Sequence, residues 1–111
     1  MTETILCQLM AVIEDRKQNP PEKSYTTTLL RGGVTKVCEK IMEEAGEVVE
    51  AASHSATTGK GPVVYEAADL IYHLLVLLAQ QDVSLADVEA ELARRFGISG
   101  ITEKESRAAK P

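Results

Sequence analysis

Two pairs of acidic residues give this sequence its chemistry. Glu44-x-x-Glu47 and Glu66-x-x-Asp69 each set carboxylates at i and i+3, so each pair projects from one face of a helix. The second pair is the more telling. It opens the run Glu66-Ala67-Ala68-Asp69-Leu70-Ile71-Tyr72-His73-Leu74-Leu75-Val76-Leu77-Leu78, inside a stretch from Val63 to Gln80 that holds no helix breaker. At roughly 100° per residue, the apolar side chains of that stretch leave no wide polar face, which predicts a buried helix. Glu66, Asp69 and His73 fall on one line along it. Neighbouring carboxylates there repel each other, and desolvation costs several kcal/mol per ion unless something compensates. Protonation, a basic partner or a metal cation would do so. Mg²⁺ suits the donor set, because it takes oxygen ligands, keeps several waters and bridges to substrate phosphates.

The elements around these residues decide whether the two pairs can meet. Residues 34–53 read as a long helix with an apolar stripe of Val34, Val37, Cys38, Ile41, Ala45, Val48 and Ala52. Lys36, Lys40, Glu43, Glu44 and Glu47 flank that stripe. Residues 54–61 are short and turn-rich, and Pro62 suits the first position of the next helix, 62–80. So short a connection makes the two helices antiparallel neighbours. Counted from the connection, Glu47 and Glu66 lie about 9 and 6 Å down their helices, with Glu44 and Asp69 roughly one turn further. Four carboxylates can then share one small box.

A blander reading stands beside this one. Glu43, Glu44, Glu47 and Glu50 can form a solvated face, with Lys40 pairing to Glu44, and Glu50 is read that way here. Glu66 and Asp69 can be salt-bridged to Lys36 or Lys40 without a metal. The cation reading is preferred because perturbed buried carboxylates mark functional sites more often than scaffolding. His73 is read in the opposite sense, as a hydrogen-bonded core residue and not a ligand. The Glu-x-x-His motif of helical carboxylate-bridged metal oxidases is absent, since His73 follows Asp69 by four and no second copy exists.

The remaining segments complete an all-α reading, an antiparallel four-helix-type bundle in a single domain over residues 1–111. Residues 3–18 form an amphipathic helix stopped by Asn19-Pro20-Pro21. Ser24 to Leu30 reads as a loop and a short helical turn, because its threonines weaken a helix, with Gly32-Gly33 closing it. Ser84 and Asp87 suggest a capping box for a fourth helix, with Leu85, Val88, Leu92 and Phe96 as its core face and Gly97 as its stop. Thr102 and Glu105 repeat the pattern for a short terminal helix. The chain of 111 residues has a formal charge of −5, from 17 acidic against 12 basic residues, which argues against nucleic-acid or anionic-membrane binding. Cys7 and Cys38 lack metal-type spacing and are expected as reduced core thiols. The N-terminus carries no basic-then-apolar signal, and the longest unbroken apolar run is too short to span a bilayer, so a soluble cytoplasmic protein is expected. The apolar surface of the helix 62–80 exceeds what three small neighbours cover, which predicts a homodimer.

Glu66-Ala-Ala-Asp-Leu-Ile-Tyr-His-Leu-Leu-Val-Leu-Leu, preceded by Lys40-Ile-Met-Glu-Glu-Ala-Gly-Glu47, closely resembles the phosphoribosyl-ATP pyrophosphohydrolases of histidine biosynthesis. Ser24-Tyr25-Thr26 with Leu30 and Gly33, and the tail Ser99-Gly100-Ile101-Thr-Glu-Lys104 ending in Arg107, look like the same family. The two acidic pairs identify only the wider group of all-α nucleoside-triphosphate pyrophosphatases. The resemblance implies Mg²⁺-dependent hydrolysis of phosphoribosyl-ATP, between its α and β phosphates, to phosphoribosyl-AMP and pyrophosphate. It implies Mg²⁺ as cofactor, with Mn²⁺ as the alternative ion, and a homodimer. Carried over by position, Glu44, Glu47, Glu66 and Asp69 are the metal ligands. Glu43 and Glu47 are the candidates for catalytic roles, Glu43 as an orienting group or as the base that activates water. Lys40 and Lys36 are expected on the substrate phosphates. Arg94, Arg95, Lys104 and Arg107 are candidates for the extra ribose phosphate, Lys104 and Arg107 foremost. The rival readings are a house-cleaning hydrolase of other nucleoside triphosphates and, from another class, a non-catalytic helical dimerisation module. The last leaves Glu66 and Asp69 an unexplained cost.

Overall fold

A computed structural model describes residues 3–96 together with Lys104 and Arg107. The described chain is helical, in the order α1 (Ile5–Gln18), α2 (Tyr25–Arg31), α3 (Gly33–Ser53), α4 (Ser55–Thr58), α5 (Gly61–Gln80) and α6 (Leu85–Arg95). Local chemistry sets most of the boundaries. Thr4 caps α1, its hydroxyl accepting from the Cys7 N–H at 3.2 Å, and the helix ends at Asn19 ahead of the two prolines. Pro62 occupies the first turn of α5, where its missing N–H costs nothing. The capping box of α6 forms as expected. Ser84 Oγ accepts from the Asp87 N–H at 3.0 Å, and the Asp87 carboxylate accepts from the Ser84 N–H at 3.1 Å.

The α3–α5 antiparallel hairpin is the dominant packing unit, and α1 and α2 both lie against it. The core is aliphatic: Met10 and Ile13 from α1, Leu29 from α2, Val37 from α3, and Leu75, Val76 and Ala79 from α5. It gathers at the open end of the hairpin, where α3 begins and α5 ends. The acidic pairs lie toward the closed end, next to the connection.

Several expectations are corrected. Residues 25–31 are a full helix and not a loop with a turn. Ser24 Oγ caps it by accepting from the Thr27 N–H at 3.3 Å, and Thr27 and Leu29 are buried beneath it. The cap and this burial outweigh the weak helix preference of threonine. Gly33 then takes φ +87°, a left-handed conformation that lets α3 leave in a new direction. The turn-rich connection contains one turn of helix, α4. Helix α5 is not buried all round within one chain. Only His73, Leu75, Val76 and Ala79 are buried on it, while Val64, Tyr65, Ile71 and Leu74 are exposed. On α6, Leu85 packs on the core, but Leu92 and Phe96 face outward. Cys38 is exposed and Cys7 half-buried, so neither is a core thiol; both are free. The Gly97 stop and the capping pattern of Thr102 and Glu105 lie outside the described residues.

By length and hydropathy α5 alone among the described helices would suffice to cross a membrane. It packs along α3 and carries two carboxylates, Glu66 and Asp69.

Candidate active site

Antiparallel pairing of α3 and α5 brings the two acidic motifs together at the closed half of the hairpin. One carboxylate oxygen from each of Glu44, Glu66 and Asp69 lies within 4.8 Å of the others. Glu44 is buried at 7% exposure, and Glu66 and Asp69 are half-buried. Glu47, one turn from Glu44, adds a fourth carboxylate on the cleft that Glu66 also lines, and its proximity raises both Glu66 and Glu44. Of the four carboxylates that the spacing is expected to bring together, Glu44, Glu66 and Asp69 cluster, and Glu47 lies beside Glu66 on the adjoining cleft.

Its electrostatics are unfavourable as it stands. Hydrogen bonding with Glu47, burial, and the charges of Glu47, Asp69 and Glu44 push the Glu66 carboxyl up from 4.5 to about 7. Burial first, and then Glu47, Asp69 and their charges, raise Glu44 as well. Among the described residues no lysine or arginine is ion-paired with Glu44, Glu66 or Asp69. Glu44 Oε2 and Glu66 Oε2 are buried with no hydrogen-bond partner. Buried oxygens without donors, clustered at this separation and all hard, fit a divalent cation well. Lys36 and Lys40 do not supply the charge in its place. Lys36 is exposed, and Lys40 Nζ lies 3.9 Å from Glu43 Oε2.

His73 behaves as a core residue. It is 4% exposed, and both ring nitrogens are engaged. Nδ1 is 2.9 Å from the Asp69 carbonyl oxygen, which can only accept, so Nδ1 carries the proton. In the neutral ring Nε2 then accepts from the Tyr25 hydroxyl at 3.0 Å. Glu44 Oε1 sits 3.9 Å from Nδ1, at the edge of this arrangement. Thr26 and Tyr72 add a second hydroxyl pair between α2 and α5, and the Tyr25 and Tyr72 rings stack at 6.1 Å. Helix α2 is thus fastened across α5 directly beside the acidic box. This fastening was missed from the sequence. Ser24-Tyr25-Thr26 carried the signal, but a seven-residue helix with three threonines gives no periodicity to announce it.

The other expected site residues are placed as follows. Glu43 is exposed and lies outside the three-oxygen cluster, paired with Lys40. Arg94 and Arg95 both reach Glu91 on their own helix, at 2.7 and 3.5 Å. Lys104 and Arg107 are exposed.

A cleft of about 350 Å³ opens beside the box, between Glu47 and Glu66 on one side and His54, Thr58 and Pro62 on the other. A helical hairpin with paired acidic motifs facing such a cleft is the arrangement that the resemblance to all-α nucleoside-triphosphate pyrophosphatases leads one to expect.

Comparison with known proteins narrows that class. Residues 6–96 match the family described as phosphoribosyl-ATP pyrophosphohydrolase. The chain is 49% identical over 105 residues to the phosphoribosyl-ATP pyrophosphatase of Rhodopirellula baltica, covering 95% of this chain and 88% of that one. It is 47% identical over 107 residues to the Geotalea daltonii protein of the same name, covering 96% and 98%. The Geobacter sulfurreducens protein of that name is 48% identical over 109 residues, covering 95% and 94%. The chain belongs to the phosphoribosyl-ATP pyrophosphohydrolase family.

Proposed function

We propose that this protein hydrolyses phosphoribosyl-ATP to phosphoribosyl-AMP and pyrophosphate in histidine biosynthesis, with Mg²⁺ as its cation and Mn²⁺ as an alternative. The observation that carries the reading is the meeting of Glu44, Glu66 and Asp69 within 4.8 Å on a chain matched to this family over residues 6–96. Glu44, Glu66 and Asp69, with Glu47 beside them, would hold the cation. Bound there, it neutralises polyphosphate charge and lowers the pKa of water. A triphosphate could not approach four carboxylates otherwise.

The protein's own groups do the rest. Glu47 lines the cleft beside Glu66 and lies outside the three-oxygen cluster, which makes it the group in the box placed to take a proton from the attacking water. Lys40, one turn before Glu44 on α3, adds positive charge for the leaving pyrophosphate. Tyr25 and His73 keep α2 seated against α5, so the box holds its shape as substrate enters. Glu43, exposed and paired with Lys40, orients that lysine.

The deciding experiment measures pyrophosphate release from phosphoribosyl-ATP and from a panel of nucleoside triphosphates, with and without Mg²⁺. The expected result is a preference of at least about a hundredfold in kcat/KM for phosphoribosyl-ATP, the scale at which polar groups in a site discriminate. Equal rates across the panel would point to a general nucleotide pyrophosphohydrolase and overturn the substrate assignment. No release from any member would leave only the non-catalytic module.

The same reading makes the protein a soluble cytoplasmic homodimer. Met42 and Val49 on α3, and Val64 and Ile71 on α5, are between 41% and 73% exposed and fall at helical spacing. An apolar surface of this kind on a chain this small suits burial against a second copy. Sedimentation without detergent at micromolar concentration is expected to give a dimer; a monomer there refutes it.

A further inference from the structure

At the open end of the hairpin, away from the acidic box, a second cleft of about 390 Å³ lies between α1, α2, the start of α3 and the end of α5. Its charge is opposite to that of the box. Arg16, Lys17 and Arg31 line it, with Thr27 and Gln80, over a floor that includes Leu30 and Val34, and no acidic residue takes part. Two of the three cations are already engaged. Arg16 reaches Asp15 at 3.3 Å, and Lys17 Nζ donates to the Ala79 carbonyl at 2.7 Å and to the Asp82 carboxylate. Arg31 has no hydrogen bond or ion pair among the described residues.

Two of the lining residues also carry an unsatisfied polar atom just beneath the cleft surface, closed off from solvent. Thr27 is 1% exposed, and its hydroxyl is buried without a partner. The side-chain oxygen of Gln80 is buried without one too. A hydroxyl rarely stays orphaned in a folded interior, because an unmade hydrogen bond costs about 1–3 kcal/mol. Rotating the Gln80 amide by half a turn presents its NH₂ donors in the same place. A guanidinium fork, a hydroxyl and an amide NH₂ are together the donor set of an oxyanion site.

We propose that this cleft is a phosphate-monoester subsite anchored by Arg31, with Thr27 and Gln80 as neutral donors. The proposal rests on the substrate assignment above for its reach. Phosphoribosyl-ATP carries a second ribose with its own phosphate. Counted along the bonds through the adenosine, that phosphate stands on the order of 15 Å from the scissile anhydride. On α5, Asp69 and Gln80 are about 16 Å apart at 1.5 Å per residue. The ribosyl phosphate of the substrate and a separate phosphorylated small molecule share the recognising chemistry, and the test separates them.

The full-length protein and its Arg31→Ala and Arg31→Lys variants are compared in two measurements. Arg31 is exposed, so both variants are expected to fold. The first measurement is kcat and KM for phosphoribosyl-ATP and for ATP. The second is a titration with inorganic phosphate, followed through the backbone amide resonances of Thr27 and Arg31, which needs no turnover. If the cleft takes the substrate's own phosphate, Arg31→Ala raises KM for phosphoribosyl-ATP at least about tenfold more than KM for ATP, the scale of one charge-assisted hydrogen bond. Arg31→Lys, which keeps the charge but not the fork, recovers part of the loss. If phosphate shifts those resonances in the wild type and not in Arg31→Ala, while the KM ratio stays put, the subsite stands and serves a separate phosphorylated ligand. Unmoved resonances together with an unmoved ratio overturn the proposal. A protein that turns over no phosphoribosyl-ATP defeats the substrate assignment alone, and the phosphate titration still judges the cleft.

Discussion

Replacing Asp69 with Asn, or Glu47 with Gln, is expected to cut pyrophosphate release by more than about a hundredfold at saturating Mg²⁺. Groups that merely orient a metal's ligands already cost 10–100-fold when removed, and these two are assigned to the box itself. Both substitutions keep the side chain's size and hydrogen-bonding shape. Both also remove one charge from a cluster in which Glu44, Glu47, Glu66 and Asp69 repel one another. The fold should therefore survive, and the variants should melt at or above the wild-type temperature when no cation is present. Circular dichroism checks the fold and a discontinuous pyrophosphate assay checks the rate. Near wild-type turnover by either variant would remove these carboxylates from the mechanism. A collapsed fold in Asp69→Asn would instead give that residue a structural role.

The second large effect couples pH, cation and stability. Glu66 is held up near 7 in the folded protein against 4.5 as its ordinary value, first by the hydrogen bond with Glu47 and then by burial and charge. The native state thus binds a proton there more tightly than the unfolded chain does. Between those values the native state carries more protons, so stability falls as pH rises. Below about 4.5 both states are protonated and nothing is lost; above about 7 the whole cost is present. In chelator, the melting temperature of Glu66→Gln should gain on the wild type steadily from pH 4.5 to 7. With Mg²⁺ present the ordering should reverse, because the ion binds the ionised carboxylates of the native state and stabilises it by mass action. Cation binding near pH 6.5 should also release protons and tighten as pH rises. A difference between wild type and variant that is flat with pH, or indifferent to Mg²⁺, would mean that the box neither stores this repulsion nor receives an ion.

Both effects start from a spacing that can be read along the chain. Glu44-x-x-Glu47 and Glu66-x-x-Asp69, with a short breaker-rich connection between them, require an antiparallel hairpin, and that hairpin places the four carboxylates at similar depth. Helix periodicity, Pro62, the Ser84–Asp87 box and Asn19-Pro20-Pro21 set the helices in the same way, because caps and breakers act over three or four residues. His73 was also legible as a core residue, since a lone histidine in an apolar run has few other uses.

Tertiary structure decided what depends on the partners of a residue rather than its neighbours. The threonines of Thr26-Thr27-Thr28 weaken a helix locally, yet burial of Thr27 and Leu29 and the Tyr25–His73 and Thr26–Tyr72 contacts hold α2 in place. Glu43 and Glu44 are adjacent in the chain, but a 100° turn sends one to solvent beside Lys40 and the other into the box. The apolar run of α5 reads as buried, and in one chain half of it is not, because hydropathy records what a surface prefers and not what covers it. The basic cleft around Arg31 left no trace in the sequence at all, since its walls come from four helices whose residues meet only once the hairpin has closed and α1 and α2 have packed on it.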